Sequence, residues 1–90
     1  MARQKVLDME KRRDRVRRYA GYLCTLASGK KVHAWVSTDE LEIEFHGIDL
    51  KAVCKLAVER ASEKDLTAGE MIVPRSLLTE VEQQERAGGR

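Results

Sequence analysis

The densest concentration of chemistry-bearing side chains is the run Lys11, Arg12, Arg13, Asp14, Arg15, Val16, Arg17, Arg18. Guanidinium groups pair bidentately with phosphate and carboxylate, so a strip of them suits an anionic partner. On a helix turning about 100° per residue, Lys11, Arg15 and Arg18 project away from Val16, while Arg12 and Arg13 flank it and can extend their heads to water. The same charges admit an internal use, because Asp8 with Arg12 and Asp14 with Arg18 stand four residues apart and would pair along that helix. Only Tyr19 and Tyr22 adjoin the run, and no helix-turn-helix pattern accompanies it, so nucleic acid is the weaker of the two partner classes it suggests.

A second group is His33 and Trp35, with Glu42 and Glu44 placed opposite them if residues 32–46 form a hairpin. An exposed Trp anchors interfaces because it buries a large area with few rotors to freeze. The competing use is structural, with a helix laid over that face of the sheet. These ten residues, Lys11, Arg12, Arg13, Arg15, Arg17, Arg18, His33, Trp35, Glu42 and Glu44, are the candidate partner-binding set.

Metal and catalytic chemistry find little to work with. Cys24, His33, His46 and Cys54 are nominal ligands, but no C-x-x-C or H-x-x-x-H spacing gathers them. Both cysteines stand on apolar stripes where thiols stay protonated, and no acid, base and nucleophile are arranged together. Ser28, Gly29 and Lys30 are a fragment of a phosphate-loop pattern without its glycine spacing. The expectation is a protein that is not an enzyme and uses no metal or cofactor.

The elements that must carry these residues are read from periodicity. Residues 5–28 are predicted as one long helix, with Met9, Val16, Ala20, Leu23 and Ala27 on one line and Ser28-Gly29 as its stop. Gly21 weakens the second half, and an alternative reading makes Tyr19 to Leu26 a strand followed by a turn over Ala27 to Lys31. Residues 32–46 are predicted as an antiparallel hairpin turning at Ser37 to Glu40, with Val36 facing Leu41, Ala34 facing Ile43 and Val32 facing Phe45.

Asp49 caps a second helix whose Leu50, Val53, Cys54, Ala57, Val58 and Ala61 follow helical spacing without a miss. Met71 to Val73 offer a short strand, and Pro74 opens a helix carrying Leu77, Leu78 and Val81. The expected fold is α+β in the order α-β-β-α-(β)-α, one domain over residues 1–84 with residues 85–90 as a loose tail.

Composition sets the outer bounds. The 90 residues are 42% hydrophobic and 36% charged, enough apolar content to fold and too much charge for burial in lipid. A chain of this size builds one modest core. No stretch approaches a membrane span, and Met1 to Lys5 lead into charge, which together predict a cytoplasmic protein with free thiols and no membrane partner.

Residues 1–31 hold ten basic and three acidic side chains, a net +7, and residues 32–90 hold seven and twelve, a net −5. Such a dipole suggests an anionic partner for the basic end or a second copy, hence a possible homodimer. The leading expectation is a small regulator or inhibitor that occupies a surface of another protein, by analogy of size and charge with those that phages and mobile elements carry. A nucleic-acid-binding regulator using the Arg-rich segment and an accessory subunit of a larger complex are the alternatives.

Overall fold

The computed structural model describes residues 4–88 and shows a mixed α/β fold that begins with strands. Three antiparallel strands, β1 (Val6–Asp14), β2 (Tyr19–Leu26) and β3 (Lys31–Ser37), form a meander. Then come α1 (Thr38–Ile43), α2 (Leu50–Glu59) and α3 (Glu63–Ala68), the short strand β4 (Glu70–Ile72) and α4 (Arg75–Gly88). β4 pairs parallel with β3, so the sheet order is β1-β2-β3-β4 and the three helices supply the crossover that parallel pairing requires.

The long N-terminal helix predicted over residues 5–28 is therefore corrected to a β-hairpin. The segment from Tyr19 to Leu26 satisfies two periods, and its period of two wins: Ala20, Tyr22, Cys24 and Leu26 all face the helices. β1 has almost no apolar pattern of its own. Only Val6 and Met9 touch the core, and pairing with β2 holds the rest as a strand. A bulge between Val6 and Asp8 leaves Leu7 as an extra, exposed residue. The turn is closed by the Asp14 carboxylate, which accepts from the Arg17 backbone N–H (3.0 Å) and Nε (2.7 Å).

The predicted hairpin over residues 32–46 is corrected as well. β3 is a strand, but its expected partner from Leu41 to Phe45 belongs to α1 and the turn after it. Ser37 caps α1 by accepting from the Asp39 N–H at 3.2 Å, and Asp39 and Glu40 complement the positive end of the helix. Leu41 and Phe45, four apart, turn inward, which leaves Ile43 exposed where strand alternation would have buried it.

α2 occupies the segment expected to be a core-covering helix. The Asp49 carboxylate accepts from the Ala52 N–H (3.1 Å), while the Asp49 N–H donates to Glu85 of α4 (2.9 Å). Val53, Cys54, Ala57 and Val58 pack on Cys24, Leu26, Val32, Ala34 and Val36, with Leu66, Leu77, Leu78 and Val81 completing one core. α4 continues through residues 85–88, assigned above to a tail, and residues 89–90 lie outside the described residues. Tyr19, Leu23, Trp35 and Ile72 are absent from this core, so all helices lie on one face of the sheet.

Gly21 has the backbone of β3 directly against it. A Cβ there would stand 1.8 Å from the Ala34 carbonyl oxygen and 3.2 Å from the Trp35 Cα, both backbone atoms that cannot swing aside. Gly21→Ala is expected to lower unfolding free energy by about 3 kcal/mol, the upper range for overpacking, as measured by chemical denaturation.

The two thiols are buried, and desolvation pushes them up to about 11 for Cys24 and about 12 for Cys54. In the unfolded chain they ionise near 9, so they favour the folded state fully below that pH and lose this contribution as pH rises toward 11. Native protein is expected to resist thiol reagents at neutral pH. Its denaturation free energy should fall more steeply from pH 8 to 10 than that of a Cys24→Ala, Cys54→Ala double variant.

Candidate functional site

The candidate residues divide between the two faces of the sheet. Trp35, Tyr19 and His33 project from the face without helices, together with Leu23 and Ile72. Trp35 is nonetheless only 5% exposed. It stacks on His33 (centroids 5.0 Å apart, planes 5° apart) and on Tyr19 (6.3 Å, 27°), and its Nε1–H donates to Glu70 Oε1 at 2.9 Å.

Arg17 completes the cover. From the β1–β2 turn its guanidinium lies 5.3 Å from the Tyr19 ring centre and 5.7 Å from that of Trp35, and Nη2 donates to Glu70 at 3.1 Å. The bonds from Arg17 and Trp35 hold the Glu70 carboxyl below the usual glutamate range, and those same carboxylate contacts, Glu70 first and then Asp14, raise Arg17. One side chain thus shelters an indole that the sequence placed either in solvent or beneath a helix.

Glu42 and Glu44 do not face His33 and Trp35. Glu42 lies exposed on α1, beside Arg13, Arg15 and Arg18 around a shallow cleft, and Glu44 follows α1 and is bound by Arg75. The arginines of the N-terminal run sort by partner. Arg12 pairs with Glu10 (3.2 Å), Arg17 with Asp14 and Glu70, and Arg18 with Asp39. Among the described residues, Lys11, Arg13 and Arg15 make no ion pair.

Register explains where these last three go. Met9 pairs with Cys24, Lys11 with Tyr22 and Arg13 with Ala20, so Lys11 and Arg13 project on the same face as the helices, past the end of the core. Gln4 N–H donates to Glu59 O, and Lys55 and Lys51 line a cleft with Val6 to Met9, so α2 runs antiparallel to β1. Lys55 and Lys51 on α2 and Lys11 and Arg13 on β1 consequently lie along one side of the molecule as a basic band, whose far end, Arg13 with Arg15, shares a cleft with Asp14 and Glu42. Lys51 and Lys55 are likewise without a carboxylate partner among the described residues. They escaped the sequence reading, although two lysines four apart on the polar side of a predicted helix are a readable signal.

The backbone of β1 also alternates. Thr38 N–H donates to Arg18 O and Leu26 N–H to Lys30 O, so even-numbered residues of β2 bond to β3 and odd-numbered ones turn to β1. Ala27 N–H to Lys5 O agrees with this parity. On β1, Asp8, Glu10, Arg12 and Asp14 therefore face β2. Met9, Lys11 and Arg13 direct both N–H and C=O to the open edge of the sheet.

Other chemistry finds no assembly. Cys24 and Cys54 are sealed in the core, His33 lies on the opposite face and His46 is in an exposed loop. Among the described residues no three His, Cys, Asp or Glu side chains gather as metal ligands, and no helix is long and apolar enough to cross a membrane. Compared with models of known families, with curated proteins and with solved structures, the chain matches none.

Removal of the Arg17 cover is readable through Trp35, the only tryptophan. Arg17→Ala is expected to shift its emission to the red and open it to acrylamide quenching. In the native chain, the ionised Glu70 favours the fold above the ordinary glutamate range, and that contribution disappears as pH falls through its lowered value. Emission should therefore hold constant down through the ordinary range near 4.5 and change only below it.

Proposed function

We propose that this chain is a small binding protein that engages an acidic surface of another protein through the basic band of β1 and α2. The observation that carries the reading is the contrast in charge pairing. Arg12, Arg17, Arg18, Arg60, Arg75 and Arg86 each hold a carboxylate, whereas among the described residues Lys11, Arg13, Lys51 and Lys55 make no ion pair, and these four lie along the same β1–α2 side of the molecule. Like charges set along one side repel one another, a cost that an anionic partner removes.

Protein is favoured over nucleic acid by what accompanies the band. Single-strand binders set exposed aromatic rings beside their cations, but Trp35, Tyr19 and His33 occupy the opposite face and are engaged with one another, and Tyr22, the neighbour of Lys11, packs against the core. The band instead borders an open strand edge, a feature of protein recognition. Such a role requires no catalytic group.

The test compares the native chain with a variant carrying Lys11→Glu, Arg13→Glu, Lys51→Glu and Lys55→Glu, all exposed positions whose reversal leaves the core intact. Affinity recovery from lysate is run with and without nuclease. The expected result is a defined protein that survives nuclease and falls at least tenfold in the variant. Capture of nucleic acid, lost in the variant and weakening with salt by about −0.9 in log-log slope per phosphate contacted, would assign the band to phosphates and overturn the reading.

A further inference from the structure

We infer that β1 receives an extended segment of the partner as an additional strand, with acidic side chains on the side facing α2. This rests on the reading above, that the basic band meets an acidic protein. Charge alone would bind any acidic surface. What singles out an extended segment is that the same three residues, Met9, Lys11 and Arg13, turn their side chains toward the helices and their backbone groups toward the open edge.

A strand laid along this edge gains three N–H donors and three C=O acceptors, and its own side chains alternate between the two faces. On the helix side they meet Lys11, Arg13, Lys51 and Lys55 and the cleft of about 210 Å³ that Val6 to Met9 form with the two lysines. On the other side they meet Asp8, Glu10 and Asp14, where Arg12 is already held by Glu10. The complementary segment therefore alternates acidic residues with neutral or basic ones. The bulge at Leu7 ends regular pairing, which limits contact to a short stretch.

A second copy fits the edge poorly. β1 laid antiparallel on itself would bring Lys11 and Arg13 of both chains to the same face, beside Lys51 of each. The other edge of the sheet, β4, is only three residues long, and its Glu70 is bound by Arg17 and Trp35. β1 is thus the edge with both length and unused groups.

The probe is an end-blocked peptide of four Glu-Thr repeats, and its control is the same peptide with alternate backbone nitrogens methylated, which keeps the charge and removes the donors. The parent peptide is expected to bind, and the methylated one at least tenfold more weakly. Amide exchange should slow at Met9, Lys11 and Arg13 on binding the parent. Within the chain, Lys11→Pro should bind at least fivefold more weakly than Lys11→Ala, because both lose the charge but only proline loses an edge donor, and that donor takes no part in the β2 ladder.

Equal binding of both peptides without slowed exchange would overturn strand addition while leaving the acidic-protein reading in place. So would failure of both peptides to bind. A dimer in sedimentation, with those three amides protected in the absence of peptide, would give the edge to a second copy. Binding of a twenty-residue oligothymidine in place of either peptide, lost in the four-Glu variant, would overturn both readings.

Discussion

The sheet has no room for a side chain at position 21. There the backbones of β2 and β3 come so close that a single carbon on Gly21 would overlap the Ala34 carbonyl oxygen, which pins Gly21 opposite Trp35. Because strand side chains alternate, that one registration settles every other residue of the two strands. It sends Ala20, Cys24, Leu26, Val32, Ala34 and Val36 to the helices and Tyr19, Leu23, His33 and Trp35 to the opposite side. The stripe of α2 then has a complementary surface to cover, and the core closes around it.

The face without helices solves its own problem differently. An indole left in water forfeits the burial of a large apolar area, and one buried without a hydrogen bond strands its N–H. Glu70 accepts that N–H, Arg17 lies over the rings while binding Glu70, and His33 stacks alongside. The planar guanidinium does both tasks at once, stacking and donating in its plane, which an ammonium could not. The contact also ties the β1–β2 turn to β4, two segments at opposite edges of the sheet.

This division of labour among cations shapes the functional reading. Arginine forks hold the fold's outlying pieces together: Arg17 holds β4, Arg60 joins the end of α2 to α4 through Glu80, and Arg75 joins the start of α4 to the end of α1. None of the lysines takes part in an ion pair among the described residues. What remains unpaired near β1 is a basic band next to a strand edge, and its two components come from the same alternation of residues.

How much of this was legible from the residues varies by element. α2 was plain, because its apolar positions follow helical spacing with a capping Asp49 and no competing period. The start of the chain was not, since residues 19 to 27 satisfy both periods and β1 carries almost no apolar signal. Similarly, Leu41 to Phe45 alternate like a strand, yet Ser37 and the two acids after it make a helix start. The candidate cations were visible as a run, but Lys51 and Lys55 join them only through the antiparallel placement of α2 on β1.

By itself, then, the sequence determined the helix that seals the core, the apolar residues of β3 and α4 that it meets and the excess of basic charge at one end. Tertiary structure alone decided that the basic segment is an edge strand, which arginines are engaged and which cations stand together. The physical reason is that β pairing is a non-local interaction: a strand with no amphipathic pattern is held by its neighbour's backbone, and that neighbour appears only when the chain is folded.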